Sequence, residues 1–228
     1  DYANLLSMVD SLLNNPQLDI DPDQVYLAGL SGGGGFAAKM ACLAPDVFAG
    51  VSIASGQSVG SSVYEIQVNR STTATDVIND CLSMAGDYEF GFDTQLIAVA
   101  HGDLDAKVDP EYAGLSAGGM ASVLGTQIDI PSEHELINAT HNTERLSSDG
   151  RVSLVYLNNF GHAWSGGESA SGFAISNKNI NYLEYLTQFL ITNNKRVIPG
   201  NLDASSDVDR DDLRVILAAR NTPAIGPF

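Results

Sequence analysis

Three residue types that together perform nucleophilic catalysis occur in this chain in suggestive surroundings: a serine between glycines, a histidine in a glycine-bearing loop, and a cluster of aspartates. The serine is Ser31 in Gly29-Leu30-Ser31-Gly32-Gly33. This G-x-S-x-G string lies between an apolar stretch, Gln24 to Leu30, that predicts a short buried strand and a small-residue stretch, Gly32 to Leu43, that predicts a helix. A serine on so tight a strand-to-helix turn occupies an unfavourable backbone region, and side chains two positions either side would collide with the turn, which accounts for glycine at 29 and 33. The turn presents the Ser31 hydroxyl over the sheet edge and leaves the Gly32 N–H able to receive an oxyanion. The competing readings are a plain glycine-rich turn or a phosphate-cradling loop. Against the latter, no G-K-[ST] follows and no acidic residue ends the next strand.

A serine needs a base, and the chain has four histidines: His101, His134, His141 and His162. In the order Ser, then Asp or Glu, then His, which this type of turn goes with, His101 comes too early. His134 and His141 fall in a polar stretch with no strand before them and read as solvent-exposed. His162 follows a buried strand, in Asn159-Phe160-Gly161-His162-Ala163-Trp164, and is the expected general base; the rival is a loop histidine resting on Trp164. The acid must sit beside a strand end, buried enough to hold the imidazole tautomer. The turn after the third strand offers Asp103, Asp105 and Asp109. Asp109 precedes Pro110 and reads as a helix cap, while Asp103 and Asp105 are not separable on position.

The elements that would hold these groups are legible as apolar runs. Besides Gln24–Leu30, the stretches Phe48–Ala54, Thr94–Ala100 and Arg151–Leu157 predict buried strands. Amphipathic patterns at Leu5 to Leu13 and Ile180 to Ile191 predict helices. Continuous apolar strands alternating with helices indicate a parallel sheet covered on both faces, the α/β class. Ser55 to Phe92 reads as a covering loop or lid, and Pro131 to Gly150 as mixed loop and helix. With 44% hydrophobic residues in 228, the chain can bury a core, and disordered or collagenous classes are excluded. Eleven Lys and Arg against 28 Asp and Glu leave a net charge of -17, which repels phosphate backbones and anionic lipid. No apolar run reaches the roughly 20 residues of a membrane span. Cys42 and Cys81 allow one bridge, compatible with export, or two buried thiols. The chain opens within a helical pattern, as a processed or truncated polypeptide would.

The run from Asp21 to Gly56, the segment His101-Gly102-Asp103-Leu104-Asp105-Ala106-Lys107-Val108 and the segment Gly161-His162-Ala163-Trp164-Ser165-Gly166-Gly167 together resemble the polyhydroxybutyrate depolymerase and feruloyl-esterase branch of the α/β-hydrolases. The likeness covers about residues 1–192, with the three segments in family order. It implies Asp105 as the acid, from the last residue of the family's H-G-x-x-D run, and His162 as the base, from its G-H-x-W. It also implies that the segment around Cys81 matches a cysteine-bearing region of the family. Such enzymes carry further strands ahead of the elbow, one of whose loops supplies the second oxyanion donor. The resemblance therefore implies an N-terminally incomplete catalytic domain over 1–195, with Gly32 as the one oxyanion donor present and the missing segment as a partner. It also leaves the Gln24–Leu30 strand with an unpaired edge.

From Gly200 the composition changes. Asn201, Asp203, Ser205 and Asp212 place oxygen ligands at positions 1, 3, 5 and 12 of a calcium-type loop ahead of a helix at Leu213 to Arg220. This 196–228 tail resembles half of a dockerin-type repeat, which implies Ca2+ and a cohesin-like partner; serines stand where the pattern prefers Asp and Gly. The plain alternative is an acidic helix start favoured by the dipole. The expected activity is thus a secreted serine carboxylic-ester hydrolase of the polyhydroxyalkanoate depolymerase type that needs no cofactor for catalysis. The alternatives are a feruloyl or acetylxylan esterase and a non-catalytic, hydrolase-like interaction module. Trp164 and Gln57 are the candidate substrate-contacting residues, with a core role for Trp164 the alternative.

Overall fold

A computed structural model describes residues 2–68, 71–135 and 142–196. The metal-ligand candidates Asn201, Asp203, Ser205 and Asp212 and the rest of the proposed tail domain beyond 196 lie outside the described residues, as does His141.

The chain alternates helix and strand as the apolar runs predict: α1 (Tyr2–Leu13), β1 (Tyr26–Leu30), α2 (Gly32–Leu43), β2 (Gly50–Ala54), α3 (Ala74–Ala85), β3 (Leu96–Gly102), α4 (Glu111–Val123), β4 (Ile128–Glu135), β5 (Thr143–Ser147), β6 (Val152–Leu157), β7 (Trp164–Ser165), β8 (Ile175–Ser176) and α5 (Tyr182–Asn193). Six strands form one sheet in the order β1-β2-β3-β6-β5-β4, and β7 and β8 pair separately. The first four are parallel and in step, Leu30 opposite Ala54 and Ala54 opposite Ala100. β4 and β5 add an antiparallel margin. β1 lies at the opposite edge of the described sheet, its residues partly exposed.

Side-chain size sorts the two faces. Val51, Ile53, Ile97, Val99, Val152 and Leu154 project into a core shared with α2, α3 and α4. A monotonic strand order with right-handed crossovers places those three helices on one face. The other face offers small residues, Ser52, Ala54, Ala98 and Ala100, and the bulky aromatics of α5 fill the space they leave. Tyr182 there shares a 3.0 Å hydrogen bond with Ser52, and Tyr182, Tyr185 and Phe189 stack in sequence along the helix. Burial of its phenol pushes the Tyr182 pKa up despite the Ser52 bond.

Two stretches differ from the sequence reading. Ser55–Phe92 is not simply a loop: it contains α3, opened by a reciprocal capping box in which Thr73 accepts from the Asp76 N–H and Asp76 accepts from the Thr73 N–H. Only Val77, Cys81 and Ala85 of this helix are buried, one narrow stripe at four-residue spacing, too sparse to outweigh its polar faces. The described parts of Pro131–Gly150, residues 131–135 and 142–150, are strand and turn rather than loop and helix, because a strand pair at a sheet margin can be built from polar residues. Cys42 and Cys81 are bonded, joining α2 to α3 across a sequence separation of 39.

Candidate active site

The elbow is built as its residues require. Ser31 sits at φ 60°, ψ −122°, a backbone region costly for a side-chain-bearing residue, and is the N-cap of α2 without using its hydroxyl as a cap. Its main chain is fixed on both sides: the N–H donates to Ala54 O at 2.9 Å, and its carbonyl accepts from Gly35 N at 3.0 Å. A Cβ on Gly29 would lie 2.0 Å from Gly33 O, and one on Gly34 would lie 2.9 Å from Ala54 O. A Cβ on Gly33 would meet nothing within 4 Å, which corrects the expectation that glycine 33 is sterically demanded; the tight positions are 29 and 34. Gly32, the first residue of α2, is exposed, and first-turn N–H groups have no partner within a helix. The positive end of the helix therefore opens beside the hydroxyl.

His162 lies in the loop between β6 and β7. Its Nδ1 is 2.7 Å from Asp105 Oδ2; the histidine side chain is 19% exposed and that of the aspartate not at all. Asp105 lies just past the end of β3, where Oδ1 accepts from the main-chain N–H groups of Lys107 at 2.8 Å and Val108 at 3.0 Å. Burial works to raise the pKa of this carboxyl, but the donors from His101, Val108, His162 and Lys107 outweigh it and hold the group well below the usual carboxylate range. Asp103 takes a different part. Its Oδ1 accepts from Phe160 N at 3.0 Å, two residues before His162, and so ties the histidine loop to the β3 turn. Asp109 Oδ1 accepts from Glu111 N, as a helix-start residue does.

Ser31 and His162 thus stand beyond the carboxyl ends of β1 and β6, with β2 and β3 between them. Neither Ser31 Oγ nor His162 Nε2 forms a hydrogen bond among the described residues. A cavity of about 350 Å³ opens on Ser31 and Gly32 and is lined also by Gln57, Phe36, Val108 and Lys39. Gln57 is therefore brought to the serine. Trp164 is not among the lining residues; it packs edge-on against Tyr182, with ring centroids 5.2 Å apart. Chain order excludes His101 as the base, and the structure gives it another place: it is fully buried, with Nε2 3.2 Å from Asp105 Oδ2, four residues before that aspartate in the sequence.

Among the described residues no group of three or more His, Cys, Asp or Glu side chains could hold a metal ion, and no helix is long and apolar enough to cross a membrane. The groups assembled here are those of acyl transfer: a half-buried hydroxyl on a strained backbone, helix-end N–H groups beside it, and an imidazole whose far nitrogen is tied to a buried carboxylate.

A family model described as esterase PHB depolymerase matches residues 1–129. A poly(3-hydroxybutyrate) depolymerase from Ralstonia pickettii is 32% identical over 222 residues, covering 90% of this chain and 46% of the relative. The chain thus spans about half the length of that curated relative. Among solved structures, an acetyl xylan esterase from Aspergillus awamori matches with a TM-score of 0.61 at 19% identity, over 71% of this chain and 61% of the other. A PHB depolymerase from Penicillium funiculosum matches with a TM-score of 0.57 at 17% identity, over 75% and 52%. At these identities the structural matches speak for a shared α/β-hydrolase fold.

Proposed function

This chain belongs to the esterase PHB depolymerase family, and on that premise we propose that it is the serine-bearing part of a carboxylic-ester hydrolase acting on a hydroxyalkanoate polyester or its oligomers. The observation that carries the reading is the 2.7 Å contact between His162 Nδ1 and the buried carboxylate of Asp105, on the same sheet rim as the strained Ser31.

In the proposed reaction, Ser31 Oγ attacks the ester carbonyl and its proton passes to His162 Nε2. The carbonyl oxygen, now negative, is met by the Gly32 N–H at the start of α2. Collapse of the tetrahedral species breaks the carbon–oxygen bond to the alcohol, which leaves with the proton from His162. A water, deprotonated by the same nitrogen, then cleaves the acyl-serine, and the proton returns to Ser31. Asp105 holds the imidazole so that Nε2 faces the nucleophile, and it stabilises the transient imidazolium. The hydroxyl and Nε2 have no hydrogen-bond partner among the described residues, and docking of the ester brings them into line. Gln57, on the cavity wall, is a candidate contact for the acyl group, whereas Trp164 supports the His162 loop from the core side.

Labelling with a fluorophosphonate probe tests the reading: Ser31 should be modified, and His162→Ala should abolish the reaction. An unlabelled, folded protein would instead support the interaction-module alternative. Relative turnover of a polyester film, p-nitrophenyl butyrate and methyl ferulate assigns the ester class, and a clear preference for the ferulate would move the assignment to the feruloyl-esterase alternative. The buried disulfide supports an extracellular setting. The tail beyond residue 196 is proposed, on its residue spacing alone, as a partial dockerin-like calcium loop with a cohesin-like partner; calorimetric calcium titration, with Asp203→Ala and Asp212→Ala as controls, tests it.

A further inference from the structure

We propose that His101 is a positioning residue for the catalytic acid: its Nε2–H shares the Asp105 oxygen that binds His162, and it thereby sets how much of the carboxylate's charge the base receives. This deepens the esterase reading and rests on it.

His101 stands at the end of β3 with no exposed surface. Its Nε2 is 3.2 Å from Asp105 Oδ2 and 3.2 Å from Val108 O. A carbonyl oxygen only accepts, and so does an ionised carboxylate, so Nε2 must carry a hydrogen and divide it between them. Nδ1 is buried and has no hydrogen-bond partner among the described residues. A hydrogen there would be a buried donor without an acceptor, the more costly kind of orphan, whereas a bare lone pair is tolerated better. The environment therefore selects the Nε2–H tautomer.

Asp105 is consequently bonded on both oxygens. Two main-chain N–H groups occupy Oδ1, and two imidazoles, one from the end of β3 and one from the loop after β6, converge on Oδ2. The ionisable side chains bonded to this carboxylate are His101 and His162; Lys107 contributes only its main-chain N–H, Asp103 bonds to Phe160 N, and Asp109 to Glu111 N. Two donors on one oxygen compete. What His101 withdraws is unavailable to stabilise the imidazolium of His162, and what it anchors cannot rotate away from His162.

His101→Phe keeps a ring of similar size but removes the donor. The acid limb of the pH profile of kcat/KM should then move to higher pH by about half a unit or more, since the full carboxylate charge falls on His162, and kcat should drop about tenfold as the carboxylate gains freedom. His101→Gln restores an N–H near the Nε2 position and should return the limb to its original place. A purely packing role predicts a lower Tm with an unmoved limb in both variants, and that result would overturn the proposal. If His101→Phe does not fold, nitrogen-15 NMR of histidine-labelled, unmodified protein decides: a protonated Nε2 and bare Nδ1 on His101 support it, and the opposite tautomer refutes it. Failure of the underlying reading is distinguishable, because fluorophosphonate labelling of Ser31 that does not depend on His162 would refute the triad whatever tautomer His101 adopts.

Discussion

The two ends of the parallel sheet use their polar residues in opposite ways. At the amino ends of the strands, Arg151 donates to Phe92 O at 2.6 Å and Leu124 O at 2.5 Å and pairs with Asp149, while Arg196 reaches Asp46 O at 2.7 Å, Pro45 O and the Thr94 hydroxyl. Gln95 donates to Ala41 O and Phe48 O, both at 3.2 Å. These donors stitch neighbouring segments together and end mostly on main-chain carbonyls. At the carboxyl ends, by contrast, Ser31 Oγ and His162 Nε2 are left unbonded among the described residues, while Asp105 beneath them is saturated. Bonded capacity marks the end that holds the fold together, and reserved capacity marks the end equipped to react.

That contrast predicts which substitutions affect rate and which affect stability. Ser31→Ala and His162→Ala should each lower kcat by about 10⁴–10⁶-fold with little change in Tm, measured on a soluble ester. Asp105→Asn should cost about 10⁴-fold by allowing the wrong imidazole tautomer. Asp103→Asn should cost much less, because its partner is a main-chain N–H of the His162 loop; equal losses from the two would erase the distinction between acid and loop tie. At the other end, Arg151→Met should remove about 3–5 kcal/mol of stability in urea unfolding, leaving Asp149 without its ion pair and the carbonyls of Phe92 and Leu124 without their guanidinium donor, and it should leave kcat/KM of the folded fraction nearly unchanged. Replacing Cys42 and Cys81 together by Ala should cost about 2–5 kcal/mol, read in the same way.

The smallest effect is on acid stability. Asp105 and Asp149 both titrate below the ordinary carboxylate range; for Asp149 burial acts upward, and donors from Arg151 and Ser147 chiefly overcome it. Folded values below unfolded ones mean that the stabilisation is fully present above the unfolded pKa, about 3.9, and is lost as pH falls through the folded values. Urea midpoints should therefore decline below about pH 4, and less steeply in Asp149→Asn.

The parts of this molecule that could be read from the sequence are those where one kind of force acts alone. The strands β2, β3 and β6 are buried and so are written as apolar runs, the half-exposed β1 at the sheet edge is written in much the same letters, and α2 and the elbow are written in glycine. α3 was hidden because its buried stripe is only Val77, Cys81 and Ala85; the one local signal was Thr73-x-x-Asp76 ahead of that stripe. The β4–β5 pair was hidden because a sheet margin carries Thr143, Glu144 and Arg145 without penalty. In the site, Ser31 and His162 stand out by their neighbours. Asp103 and Asp105 do not, since which of them faces His162 is decided by a turn whose Oδ1 bonds to Lys107 and Val108 cannot be seen in the letters. His101 was set aside by chain order, and only the fold of that turn brings it back onto the carboxylate.

The edge-on packing of Trp164 on Tyr182 has a practical consequence. As the single tryptophan of the chain, two positions beyond His162, it is an intrinsic optical probe placed where ligand occupancy should be felt. Its emission can follow acylation, inhibitor arrival or loop displacement in real time, without any dye or label.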